Sequence, residues 1–427
     1  MTRLINFRIQ STSEHAFRAN NGRMSDNSKI IGILVIIIFA AIALAYTYLF
    51  NHQPYAIIKT GQSGNLTSGG NGGTKVVVYN SVSSNGNEQT TVSSTTTAVI
   101  NKQIYSVPIV IRNLQISPTP AGLQDMIVVP SSNYSSYIDP NWNNVEFTTA
   151  PEGGGSMIEA WVESNATSSS RATVVWVKLP MIIDGHDTTT IYMDFMNFPV
   201  LSRDGPTGEA PELSTAYAQY DNGALVFNFY DNFSGRGLNT DLWSNSSAFS
   251  SNPVIVNDGL TIGPSTSKQN NGYSAVISLR SFGQGVVEFY GTLLDNSTQP
   301  HYQDVGLIPA SSSNACNLIA IGSFYGPGYA GLQTIDSYCY AKYSQGLSFG
   351  KPEIYSIFVP SLNPTNATAT VDYANPVTLS FASLLLPQNI GFENQGTIGN
   401  LGPIYWIRQR DYPPGGVLPA FSFGKLQ

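Results

Sequence analysis

Twenty-one consecutive residues, Ile30 to Phe50 (IIGILVIIIFAAIALAYTYLF), carry no charge. A helix of that length measures roughly 31 Å, the thickness of a bilayer's hydrocarbon core. The run is apolar on every side, so a half-buried soluble helix does not account for it. Arg3, Arg8, Arg18, Arg23 and Lys29 precede it, against Glu14 and Asp26, and the next basic residues after it are Lys59 and Lys75. That asymmetry predicts a single-pass protein of the cell membrane, with residues 1–29 as a basic cytoplasmic arm, residues 30–50 as a transmembrane helix and the bulk of the chain extracellular. Its first partner is then the lipid bilayer. A cleaved secretory signal is the competing reading, with Ala43-Leu44-Ala45 as the cleavage site and Met24 as a shorter start. Continuation of the run to Phe50 and the length of the arm favour the anchor, and both readings export the rest.

Residues 51–100 are dominated by Gly, Ser, Thr and Asn, for example GQSGNLTSGGNGG and SVSSNGNEQTTVSSTTT. Such a stretch buries too little surface to order itself and reads as a tether. From residue 101 onward short runs of Val, Ile, Tyr, Phe and Thr recur, cut by Gly, Pro and Asn: IYSVPIVI (104–111), ATVVWVKLP (172–180), VVEFYGTLL (286–294), EIYSIFV (353–359) and IYWIRQR (404–410) are examples. No convincing 3.6-residue apolar period extends over ten residues after Phe50. The expected class is all-β: two β-sandwich domains of jelly-roll or concanavalin-like type, 101–224 and 225–427, behind one N-terminal transmembrane helix. In VVEFYGTLL, alternation assigns Val287, Phe289 and Leu293 to a buried face and Glu288, Tyr290 and Thr292 to the opposite, unburied one. Asn257-Asp258-Gly259 reads as a tight hairpin turn.

The run VVWVKLP, then TIYMDF (190–195), then FNFYDNFSGRGLNTDLW (227–243) resembles a domain family of unknown function in archaeal and bacterial cell-surface proteins. In that family the β-domain is commonly followed by a laminin-G-like or concanavalin-like jelly roll. DGLTI (258–262), NGYSAVISLRSFGQGVVEFYG (271–291) and the terminal YWIRQRDY and PAFSFG are similar to such a second domain. The resemblance spans about residues 100–427. It implies a surface role compatible with glycan contact, and no established activity.

Only 11% of the residues are charged and the formal net charge is −7, which excludes a basic nucleic-acid-binding surface. So few carboxylates predict a melting temperature nearly constant from mildly acidic to neutral pH. A glycosidase of concanavalin-like fold needs two carboxylates on one strand face, and no Glu-x-Asp occurs; Glu288 and Asp295 would fall on opposite faces of one strand. The four histidines, His15, His52, His186 and His301, are scattered, so neither a metal site nor a Ser-His-Asp triad is expected, and no cofactor. Gly326-Pro327-Gly328-Tyr329-Ala330-Gly331 matches Gly-x-Gly-x-x-Gly, but a strand pattern follows where a dinucleotide site needs a helix, so it reads as a hairpin loop.

The chemistry that remains is binding. The leading reading is a non-enzymatic extracellular binding or adhesion protein that contacts a cell-surface glycan. The alternatives are a structural envelope component packed against envelope proteins, and an atypical glycoside hydrolase. In Thr334–Tyr343 a period-two reading points Ile335, Ser337, Cys339 and Ala341 inward and Asp336, Tyr338, Tyr340 and Lys342 outward. The outward set, rimmed by Tyr325 and Tyr329, is the expected sugar face. Cover of the core by these tyrosines is the plain alternative. Cys316 and Cys339, in an exported segment, are expected to be bridged, with two buried free thiols as the alternative. Export also makes the sequons at Asn65, Asn133, Asn165, Asn232, Asn245, Asn296 and Asn366 N-glycosylation candidates.

Overall fold

Period-two runs of this kind fold by finding a second layer for their apolar side. The computed structural model describes residues 103–246, 254–263, 274–294, 303–309, 316–323, 330–394 and 399–427. The expected arm, membrane segment and tether lie outside the described residues. Among the described residues no helix is long and apolar enough to cross a membrane.

The strands follow in chain order β1 (Tyr105–Arg112), β2 (Gln124–Val129), β3 (Val145–Ala150), β4 (Gly154–Met157), β5 (Ala160–Ser164), β6 (Thr173–Lys178), β7 (Thr188–Phe195) and β8 (Thr207–Glu209). A four-residue helix, α1 (Gly223–Val226), leads to β9 (Phe229–Asp231), β10 (Trp243–Ser246), β11 (Val254–Val256), β12 (Leu260–Ile262), β13 (Ser274–Phe282), β14 (Gly285–Gly291), β15 (Gln303–Ile308) and β16 (Leu318–Ser323). The remainder are β17 (Ala330–Ile335), β18 (Ala341–Tyr343), β19 (Glu353–Val359), β20 (Asn366–Val371), β21 (Ala374–Ser380), β22 (Gln388–Asn394), β23 (Leu401–Arg410) and β24 (Ala420–Phe423). Val256 pairs with Leu260 across the Asn257–Gly259 turn, where Asp258 and Gly259 have φ of 51° and 139°, as a tight hairpin requires.

These strands form four sheets. The first sandwich packs β24-β1-β7-β3-β4 on β2-β6-β5-β8. Its core takes Val107, Ile109 and Ile111 from β1 and Val175 and Val177 from β6. The second sandwich packs β11-β12-β23-β14-β19-β20-β21, with β9 also paired to β23, on β10-β13-β22-β15-β16-β17-β18. Phe289, Ile357, Phe392 and Ile407 lie in its core.

Two expectations need correction. First, the expected boundaries 101–224 and 225–427 do not describe separable domains. After β23 the chain passes through Pro413–Pro419 and β24 returns to the first sandwich, where Ile109–Arg112 pair with Phe423–Ala420. Phe421, Phe423 and Leu426 pack on the first core, and Val99–Gln427 form one compact unit.

Second, the face of β14 carrying Glu288 is not free. A third apolar cluster joins the sandwiches, with Trp161 and Trp176 from β5 and β6 against Tyr230 and Trp406 from β9 and β23. Strands β5 and β6 therefore bury both faces: Val162 and Val175 enter the first core while Trp161 and Trp176 enter the joint. Burying such large rings is worth on the order of 2 kcal/mol each or more. That gain holds the two sandwiches together.

Candidate binding surface

The expected sugar face is not one continuous strand. β17 ends at Ile335, residues 336–340 turn, and β18 returns with Ile335 opposite Ala341. Asp336 is therefore buried, at 2% exposure, instead of projecting outward. Its Oδ1 accepts hydrogen bonds from the backbone N–H groups of Tyr338 and Tyr340, both at 2.9 Å. Its own N–H donates to the Tyr340 carbonyl at 3.1 Å. A short acidic side chain that satisfies turn N–H groups is the usual device for fixing such a reversal. Cys339 has φ of 64°, which breaks the alternation assigned to it.

Tyr338 and Tyr340 emerge from the turn tip 69% and 70% exposed. Lys342 is exposed on β18, and its Nζ donates to the Ser380 carbonyl at 2.8 Å, tying the hairpin to the end of β21. Cys316 and Cys339 are joined by a disulfide with their Cα atoms 4.8 Å apart. The turn is also held by Ser337 N–H to the Ser383 carbonyl, at 3.0 Å. The expected rim residues Tyr325 and Tyr329 lie outside the described residues. The turn thus presents two phenol rings on a backbone fixed from four sides. Such rings can cover the C–H face of a pyranose and offer hydroxyls to it.

Of the sequons, Asn133, Asn165, Asn245 and Asn366 are exposed. Asn232 is not comparably available. Its Nδ2 donates to Asp221 Oδ2 at 2.8 Å and its Oδ1 accepts from Ser234 N–H at 3.0 Å. Asn65 and Asn296 lie outside the described residues. His186 is an exposed loop residue. Among the described residues no three His, Cys, Asp or Glu side chains come together to hold a metal ion.

The joint between the sandwiches contains a charged cluster that strand alternation alone does not reveal. Arg408 and Glu288 are both fully buried. Arg408 Nε donates to Glu288 Oε2 at 2.7 Å, and its Nη2 to Glu163 Oε2 at 2.8 Å and Tyr373 Oη at 2.7 Å. Arg410 adds two bonds to Glu288, at 3.1 and 3.0 Å. Trp161, Trp176, Phe227 and Trp406 surround the Arg408 guanidinium at 4.4–5.2 Å, each in cation–π contact. Burial opposes the charge on Glu288, but the two guanidiniums prevail and hold its carboxyl down at about 2. Asp221, on the same joint, accepts from Trp161 Nε1, Tyr230 Oη, Asn232 Nδ2 and Gly223 N–H at 2.7–3.0 Å.

Among the described residues, other carboxyls are buried outside any ion pair. Asp125 is fully buried, and the Met126 N–H and the Arg410 charge only partly offset that burial. Burial pushes it up to about 8. Asp304 faces Glu393 across β15 and β22, and burial, with Glu393 beside it, holds it well above the usual range. A search for acid pairs along one strand misses this pair, since only sheet register brings its two strands together.

No family model matches this chain. It is 27% identical over 358 residues to uncharacterized protein 562 of Sulfolobus islandicus rod-shaped virus 1, covering 74% of this chain and 58% of that protein. The chain thus spans less than two thirds of that relative's length. Among solved structures it is similar to a Bacillus licheniformis beta-glucanase, at 15% identity and a TM-score of 0.32, over 43% of this chain and 97% of the other. It is also similar to beta-agarase A in complex with oligoagarose, at 12% identity and a TM-score of 0.34, over 43% of this chain and 91% of the other.

Proposed function

We propose that this chain is a membrane-anchored extracellular binding protein that contacts carbohydrate through the Tyr338–Tyr340 turn. The observation that carries the reading is the pair of tyrosines, 69% and 70% exposed on a turn braced by Asp336 and the Cys316–Cys339 bridge. Exposed rings on a fixed backbone lose little freedom on binding. The uncharged run Ile30–Phe50 supports the anchor, and the charge asymmetry around it supports the orientation. Protease added to intact cells is expected to remove everything beyond His52, and protected β-sandwiches would reverse the orientation.

The binding test is a glycan array read with the full-length chain and with Tyr338→Ala/Tyr340→Ala. The expected result is a glycan signal lost in the folded double variant; an equal signal places the contact elsewhere. A second reading, a structural envelope component, is favoured by the buried cluster that locks the two sandwiches at Arg408. Assembly of the purified chain into sheets or filaments with no glycan signal would replace the first reading with this one. Our reading is non-enzymatic, and Glu288 in particular, fully buried and paired with Arg408 and Arg410, is no proton donor. Sugar release that disappears in Asp304→Asn would overturn that.

A further inference from the structure

Between α1, β9 and the edge formed by β10 and β13 lies an open cleft of about 360 Å³. We propose that it is a second ligand site and that it takes a uronic-acid unit of an acidic glycan. The proposal rests on the reading of this chain as carbohydrate-binding, but it uses none of the Tyr338–Tyr340 turn.

The cleft has an apolar floor and a polar rim. Phe227, Phe229 and Tyr230, each at most 7% exposed, line its base. Leu242 and Leu279 form a wall, and Leu279, 57% exposed, offers apolar surface to whatever enters. At the rim stand Arg280 and Asp241. Arg280 is held ready: its Nη1 donates to the Asn228 carbonyl at 3.0 Å and its guanidinium lies 5.1 Å from the centre of the Phe282 ring. Among the described residues no carboxylate forms an ion pair with it, so donors of its planar fork remain for an incoming anion. A carboxylate matches that fork with two parallel hydrogen bonds. The Asp241 backbone N–H is engaged by Asn239 Oδ1, and its carboxylate can accept from hydroxyls. The volume lies within the range of small-molecule sites.

A ligand that meets all three features has one carboxylate, several hydroxyls and a flat C–H face. A pyranose uronate has these; a neutral sugar leaves Arg280 without its anion, and an acidic peptide leaves Asp241 without hydroxyl partners.

The test is calorimetric titration of the full-length chain with trigalacturonate, with neutral cellotriose and with a glutamate-rich peptide. Trigalacturonate is expected to bind, and more weakly as salt rises. Arg280→Gln should weaken it at least tenfold, and Arg280→Lys by less. Leu279→Glu, at an exposed position that tolerates substitution, should abolish it. Tyr338→Ala/Tyr340→Ala should leave it unchanged, so the two sites fail or stand separately. No trigalacturonate binding by the wild type, or equal binding by folded Arg280→Gln, overturns the proposal. Equal affinity for the peptide overturns the sugar assignment.

Discussion

Asp125 shows how little the number of carboxylates says about pH dependence. With only 27 acidic residues the chain reads as insensitive to mild acid. Position reverses that expectation. Asp125 has a folded-state value of about 8, against 3.8 when free, because burial disfavours its charge. A group raised in this way leaves stability intact below its unfolded value and removes it as pH climbs towards the folded one. Asp221, Asp231 and Asp304 are raised by burial as well. Glu288 acts oppositely: its value of about 2 means that its contribution is present above 4.5 and is lost as pH falls towards 2. The chain is therefore expected to be most stable near roughly pH 4 and to lose several kcal/mol by pH 8. Denaturant melts from pH 4 to 8 would check this. Asp125→Asn should flatten the profile, matching the wild type at pH 4 and exceeding its stability at pH 8. A wild-type profile that is already flat would refute the assignment.

At the scale of elements, most strands coincide with the period-two runs that announce them. The clearest exception has a local cause. In Thr334–Tyr343 alternation continues through residues whose local hydrogen bonds prefer a turn, and Asp336 supplies the acceptor. Side-chain capping of backbone N–H groups leaves no trace in hydrophobic periodicity. Pro108 is a different case, inside a run that does form a strand. A proline inside a run argues for a sheet edge, yet β1 is an inner strand. The two agree because β24 pairs only from Ile109 onward, leaving Pro108 to accept from Gly424 N–H at 2.7 Å. The Cys316–Cys339 bridge joins the segment just before β16 to the 336–340 turn across a separation of 23 residues. Closing such a loop is worth roughly 3 kcal/mol in the chain-entropy model. Reductant should lower the melting temperature accordingly, and Cys316→Ser/Cys339→Ser should reproduce the loss. A melt indifferent to both would show that the bridge contributes nothing to stability.

For the whole molecule, the two sandwiches are expected to unfold together. They share the Trp161–Trp406 cluster, the strand β24 and the Glu163–Arg408 pair, which spans 245 residues of sequence. Removing one partner of a buried pair leaves an uncompensated charge and costs about 3–5 kcal/mol. Glu163→Ala should cost that much and still give one calorimetric transition, lowered as a unit. Two resolved transitions in the wild type would mean that the joint is weaker than its contacts imply. A fragment ending before residue 420 would lack β24 and expose the Ile109 edge of the first sandwich, so it is expected to aggregate.

The sequence by itself determined the β class, the strands and the hairpin at Asn257–Gly259, because alternation and turn chemistry are local and act within a few residues. It also carried the two aromatic residues of the candidate turn, since tyrosines between small residues stand out in any register. Only the tertiary structure decided which strand faces are free. Glu288 and Tyr290 alternate with core residues as solvent-facing positions would, yet Glu288 ends fully buried under the first sandwich. The same holds for Arg408 and Arg410, whose charges belong in water until Glu288, Glu163 and the rings of Trp161 and Trp176 from other strands close around them. Burial of a charge depends on what another part of the chain brings to it, and that pairing has no signature within one strand.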